Sequence, residues 1–404
     1  MMKHLIHLLI ATIFLLSCNE KKTGSQPVEP LRWEEIRESA ESTNVTLMMW
    51  QGDPFINKYM SEFIVPSVRD QFGIELNIVN GQGSQIVSTL MAEKDAGVSE
   101  SEIDMMWING ETFFQLRQIG ALHGPFVSQL PNNQFIDWKN PFIANDFQQP
   151  VEGFECPWGN VQLALIYNSD KVNDPPQNPN EWRSWVREHP GKFTLSNDFT
   201  GMTLLKSWLI YFAGGDAIRG EYDDDLYNKY GKELWDFIND IKPYLWNEGS
   251  TFPANIARMH QLYSNGEIWF TMSNNDAEVD NKIAQGLFED HSRAYVPQSG
   301  TIQNSHYMGI ADQSPNKAGA MVVINFLISP EAQWRKMQPS VWGDGTILNV
   351  NSLSAEWQKK FQNIPGRKYA PERKEISKKA LSEPAPEYMI RIFEDFRKKV
   401  IEGS

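Results

Sequence analysis

The sequence predicts an α/β protein of two lobes, each a mainly parallel sheet flanked by helices. Two observations predict it. Short apolar runs of strand character alternate with longer stretches of helical spacing. At 404 residues the chain is also too long for one compact core.

The first strand is Val45–Trp50, an apolar run. Gln51-Gly52-Asp53-Pro54 then turns the chain, with aspartate as N-cap and proline at the first helical position. Helical spacing runs from Phe55 to Phe72 (Phe55, Tyr59, Phe63, Val68, Phe72), and Pro66 is expected to kink or end it. A second strand spans 74–79. Gly81 to Ser84 then turns into a helix with Ile86, Leu90 and Met91 on one face. A third strand spans 103–108, and Asn109-Gly110-Glu111 opens a helix with Phe113, Leu116, Ile119 and Leu122 inward. The same grammar returns in strands at 161–167 and 192–196, a helix from about Thr200 to Phe212, and a strand at 267–272. Ser314-Pro315 and Ser329-Pro330 open two late helices, and the stretch from Trp357 is charged and helical. Alternation of this kind implies parallel sheets covered on both faces.

The chain starts with a polar Lys3-His4, an apolar run from Leu5 to Leu16, then Ser17-Cys18. About 12 apolar residues are too few to cross a bilayer but suit a secretory signal. The closing cysteine resembles a bacterial lipoprotein signal, which implies that Cys18 is diacylated and becomes the mature N-terminus, a stable anchor. Residues 19–31 are polar with Pro and Gly and read as a flexible tether.

Removing residues 1–17 from 404 leaves 387 and takes away one of the 37 basic residues. That sets 36 against 51 acidic ones, a net charge of −15. Nucleic acid and anionic membrane surfaces are therefore not expected partners. Cys156 is the other of two cysteines. With Cys18 lipidated it has no disulfide partner and is expected to be a small buried residue. The seven histidines are scattered, and no His-Glu-x-x-His, Gly-x-Ser-x-Gly or phosphate-loop sequence occurs. No cofactor, metal or catalytic residue is expected.

In open parallel sheets ligands bind beyond the carboxyl ends of the strands. Five polar turns belong there: Trp50-Gln51-Gly52-Asp53, Gly83-Ser84-Gln85, Asn109-Gly110-Glu111, Ser196 to Gly201 with Asn197, Asp198 and Thr200, and Ser273-Asn274-Asn275-Asp276. Each also opens a helix, so capping is work enough for any one of them. Their convergence on one side favours a shared ligand cleft. Trp158 and Trp342 lie beside candidate turns and are expected to line it with Trp50.

The order and wording of the segments resemble the extracellular solute-binding proteins of ABC importers, over essentially the whole mature chain. Pro157-Trp158-Gly159-Asn160-Val161 to Tyr167 through Val172 resembles the crossover into the second lobe. Asn178-Pro179-Asn180-Glu181-Trp182 resembles the turn after it, and Leu262 to Ile268 the late strand with its Gly-Glu lead-in. Ser314 to Ala320 and Phe326 to Gln333 resemble the paired late helices. Trp-Gln-Gly, Met-Trp-Ile-Asn-Gly and Pro-Trp-Gly-Asn are most similar to a lipid-anchored or periplasmic branch related to thiamine- and polyamine-type binders. The resemblance implies a type 2 periplasmic-binding-protein fold with ligand between the lobes and hinge closure. It implies 18–43 as lipid-anchored tether, 44–155 with 298–330 as the first lobe, and 156–297 with 331–404 as the second. It also implies a monomer, delivering a small molecule to an ABC permease and ATPase from the periplasm or cell surface. A sensor for a membrane receptor or a secreted carbohydrate-active enzyme are the alternatives.

Indole faces suit a planar heterocycle or organic cation, and Asp53, Glu111, Asp198, Asp276 and Asp344 are acidic candidates beside them. Helix N-termini favour anions. A cationic ring with a phosphate tail satisfies both, and a sugar suits aromatic stacking with amide hydrogen bonds.

Overall fold

The computed structural model describes residues 32–403. The signal, Cys18 and the first part of the expected tether lie outside the described residues. Residues 33–40 are not tether. They form a helix whose Ile36 and Ala40 are buried in the first lobe, because one apolar edge of an otherwise charged segment packs on the helix Lys317–Leu327.

In chain order the strands are β1 (Asn44–Met49), β2 (Glu75–Asn80), β3 (Met105–Ile108), β4 (Asn145–Asp146), β5 (Gln149–Pro150), β6 (Glu155–Gln162), β7 (Ala164–Asn168), β8 (Phe270–Ser273), β9 (Ser292–Tyr295), β10 (Thr301–Ile310) and β11 (Ala380–Leu381). The first lobe holds the larger sheet. β1 pairs parallel with β2 and β3, and β10 runs antiparallel to β3 and β6. Alternation along the strands divides its side chains. Val45, Leu47, Met105 and Met308 enter one apolar cluster, while Met48, Met106 and Tyr307 enter another on the opposite face. The second lobe departs from the expected parallel sheet: β8 and β9 flank β7, and both run antiparallel to it. Residues 192–196 are not a strand either. Phe193, Leu195 and Ser196 are buried, but their backbone bonds single carbonyls and amides of loops, as in Trp246 N to Phe193 O at 2.8 Å, rather than a ladder.

The expected strand at 161–167 is two strands, β6 in the first sheet and β7 in the second, joined through Leu163, whose N–H bonds Ile302 O at 2.9 Å. β6 and the first half of β10 thus form a paired crossover between lobes. Helical structure runs through Pro66. A π-helical turn, Met60–Ile64, precedes it, so the ring and its missing N–H are absorbed in the wider turn. Ile86 and Leu90 point inward as expected, whereas Met91 is exposed.

The chain from 331 onward divides between the lobes. Ala332, Trp342, Ile347, Leu353 and Phe361 join the first lobe's core. Ala370, Ile376, Tyr388, Met389, Ile392 and Phe396 join the second's. The boundary at 331 is therefore corrected to the Ile364–Tyr369 stretch. The second core is aromatic: Trp182 packs on Phe193, Phe270 and Trp208. Cys156 is buried, and burial pushes its thiol far above its ordinary range.

Candidate ligand cleft

The expected turns do fall at strand ends, and each is organised by its own sequence. After β1, Asp53 accepts from Phe55 N at 2.8 Å and Ile56 N at 3.1 Å, capping the helix that Pro54 opens. The half-buried Trp50 ring covers Gly52, where any Cβ would collide with the indole. Gln51 N donates to Asn80 Oδ1 at 3.2 Å and Asn57 Nδ2 to Gln51 O at 2.9 Å, tying this turn to the end of β2. Ser84 and Gln85 open the helix Gly83–Asp95 and are exposed. After β3, Gly110 has φ +48, a left-handed conformation that favours glycine, and a Cβ there would strike the Phe147 ring. Its N–H is taken by the buried Asp146 carboxylate on the β4–β5 hairpin, and Asn109 beside it is half-buried.

In the second lobe Asp198 accepts from Gly201 N at 3.1 Å, Ser196 Oγ at 2.7 Å and Ile256 N at 2.6 Å, so it serves as the cap of the helix Phe199–Phe212. Asn197 is exposed beside it. Thr200 Oγ1 accepts from Asn274 Nδ2 at 3.1 Å, which joins two of the expected turns. Asn275 Oδ1 accepts from Ala277 N at 3.0 Å and its Nδ2 reaches Trp342 O at 3.4 Å.

Four expected residues are not open walls. Trp158 is fully buried and Trp342 nearly so, and they pack with Trp107 and His306 as one aromatic group, Trp158–Trp342 at 5.1 Å and Trp107–His306 at 4.9 Å between ring centres. Asp276 is buried and gripped by Arg367 and Arg373. Asp53 is buried too, and its Oδ2 accepts from Lys282 Nζ at 2.5 Å, while Lys282 also reaches Glu278 at 3.1 Å. The helix that Asp53 caps packs in the first core and the helix of Lys282 in the second, so the ion pair joins the two.

Other groups were not read from the strand-end pattern. Phe147, from the β4–β5 hairpin, is buried in the second core and packs against Phe199 there, 6.4 Å between ring centres. Lys206 is wholly buried, 3.9 Å from the Phe147 ring centre and 2.5 Å from Glu383 Oε2. The signal was present: Lys206 is the one charged residue in a fourteen-residue, mostly apolar helix. Among the described residues no group of three or more His, Cys, Asp or Glu side chains is placed to hold a metal ion.

Two α/β lobes, joined by paired crossover strands with polar strand-end turns from both sides between them, define a type 2 periplasmic binding protein. The model of the bacterial extracellular solute-binding proteins matches residues 64–364, and the chain belongs to that family. It is 33% identical over 326 residues to the protein YnjB of Escherichia coli, covering 80% of this chain and 84% of that one. The spermidine/putrescine ABC transporter substrate-binding protein PotD of Streptococcus pneumoniae shares the fold with a TM-score of 0.61 at 15% identity, covering 88% and 99% of the two chains. The periplasmic binding protein AfuA of Actinobacillus pleuropneumoniae, solved with fructose-6-phosphate, does so with a TM-score of 0.63 at 12% identity, over 89% and 98%. Binding proteins of this family deliver small molecules to ABC permease and ATPase complexes. No helix among the described residues is long and apolar enough to cross a membrane.

Proposed function

We propose that this solute-binding protein captures a small organic cation, thiamine-like in carrying a positively charged ring, in the cleft between its lobes. Trp50, Gln51, Gly52, Ser84, Gln85, Asn109 and Gly110 line it from the first lobe, and Asn197, Thr200, Asn274 and Asn275 from the second. Asp53, Trp158, Asp276 and Trp342 stand behind that lining and hold it in shape. The observation that carries the reading is Trp50: a half-buried indole at the carboxyl end of a central strand, seated on Gly52. Such a ring is a face for a flat or cationic group. The acidic balance of the chain and the polyamine named for the pneumococcal PotD agree with a cation.

Calorimetry on the double variant Trp50→Ala, Asn109→Ala tests the site. Losing a stacking face and a side-chain amide is expected to weaken binding of the wild-type ligand at least tenfold, about 1.4 kcal/mol. Unchanged affinity contradicts the assignment.

The protein is further proposed to be tied to a membrane through lipidated Cys18. Cys18→Ala is expected to move it from the membrane fraction to the soluble fraction, and continued membrane association contradicts the anchor.

A further inference from the structure

Beside the strand-end turns the two lobes meet over a buried polar patch. The helix Gly110–Gln118 of the first lobe packs against the helix Pro386–Asp395 of the second. Three carboxyl groups lie in this patch: Glu111 in the first turn of the former helix, Asp146 on the β4–β5 hairpin, and Glu383 just ahead of the latter helix. One lysine, Lys206, faces them.

The hydrogen-bond accounting singles out one of the three. Glu383 has both oxygens engaged, Oε2 with Lys206 at 2.5 Å and Oε1 with Asn304 Nδ2 at 2.8 Å. Asp146 is bonded to the Gly110 N–H. Glu111 Oε2 is sealed from solvent and has no partner. The single ammonium of Lys206 is paired with Glu383, so Glu111 has no counter-charge of its own. The Glu111 carboxylate is bonded by its own backbone N–H, which leaves Oε2 over, and a sealed carboxylate oxygen without partner favours uptake of a proton or a cation. The surroundings already accept a cation, since the Lys206 ammonium lies 3.9 Å from the Phe147 ring centre and 5.4 Å from that of Phe199.

We infer that Glu111 receives the cationic group of the bound ligand, through its unpartnered Oε2. This rests on the cationic-ligand reading above and assigns the residue that selects for charge. Burial pushes the Glu111 carboxyl up to about 7, against the pull of Lys206. Asp146 and Glu383 are likewise raised, first of all by burial. Beyond them, Glu155 and Tyr307 face Asp146. Arg117, further along the helix of Glu111, is paired with Glu152 and faces Glu155.

The sign follows from linkage. A cation settling on Glu111 lowers its pKa, so binding near neutrality releases a proton and affinity rises with pH, about tenfold between pH 6 and pH 8 for one group titrating near 7. If Glu111 were merely buried on lobe closure, closing would take up a proton and affinity would fall with pH.

The test is calorimetry of the wild-type protein and Glu111→Gln with thiamine and with spermidine across that range, in buffers of different ionisation enthalpy so that protons are counted directly. The expected result is proton release by the wild type, affinity rising with pH, and for E111Q a loss of roughly tenfold to hundredfold at about pH 8 with no pH dependence. Wild-type binding of a cation with proton uptake, or an E111Q variant with wild-type affinity and slope, overturns the role of Glu111 and leaves the cationic reading standing. Failure of the wild type to bind either cation overturns that reading and this assignment together. The proton count needs no variant, so a misfolded E111Q does not blunt the test.

Discussion

Lys336→Met is expected to lower the free energy of unfolding by about 3–5 kcal/mol, the range for a buried ion pair stripped of one partner. Lys336 has no exposed surface. Its Nζ donates to Asp344 Oδ2 at 2.5 Å, to Trp158 O at 2.7 Å and to Gly345 O at 2.9 Å. It thereby joins β6, the helix Pro330–Met337 and the 342–345 loop under the aromatic group. Methionine fills similar space but leaves Asp344 charged and buried, with His306 Nε2 at 3.2 Å as its remaining side-chain neighbour. Urea midpoints measure the loss, and a change below about 1 kcal/mol would refute this account of the cleft floor. The same pair sets an acid limit. Burial opposes ionisation of Asp344, yet Lys336 and then His306 hold its carboxyl down to about 2, from an ordinary 3.8. A depressed carboxyl contributes stability that is present above the unfolded value and lost as pH falls through the folded one. The acid-side decline between about pH 4 and pH 2 should therefore flatten in Asp344→Asn.

Lys282→Met is expected to act on closure. The Asp53–Lys282–Glu278 arrangement spans the lobes, with Lys282 on the helix Glu278–Ala284 and Asp53 capping the helix behind Trp50. Removing the ammonium leaves two carboxylates facing each other in a dry interface. Opening the lobes lets them hydrate, so the cost falls on the closed state: a ligand that binds only that state loses apparent affinity in proportion to its population. Affinity is expected to drop by at least tenfold, with a larger radius of gyration in solution scattering. An unchanged radius and affinity would mean that the ion pair does not bias closure. Asp53→Asn should behave more mildly, because its amide oxygen still caps Phe55 and Ile56.

Much of this architecture was legible. β1, β2 and β3 and the helices after them were readable because buried parallel strands are short apolar runs and their turns carry cap residues. The helices opened by Ser329-Pro330 and by Asp198 follow from the same chemistry. What misled was context. Lys192–Ser196 is apolar because it is buried, but its backbone finds scattered partners, and strand patterning does not distinguish the two. The antiparallel second sheet was hidden because strand polarity is a property of connections, not of side chains. In the site, a strand-end turn and a helix cap use the same Asp, Asn and Ser. Asp53 and Asp198 could not be told from ligand contacts until their oxygens were seen to be engaged. Tryptophan is equally ambiguous, and Trp50 and Trp158 differ only in what covers them. Lys206 and Lys282 mark where the lobes meet, and long-range ion pairs leave no local spacing to read.

The most direct test of the central claim is a thermal-shift screen of residues 19–404 against thiamine and its phosphates, polyamines, sugars, amino acids and oxyanions. A ligand that binds only the folded state stabilises it by about 2.7 kcal/mol at a hundredfold excess over its dissociation constant. The account predicts a raised midpoint with an organic cation and none with neutral sugars. A shift produced by sugars or oxyanions alone would contradict it.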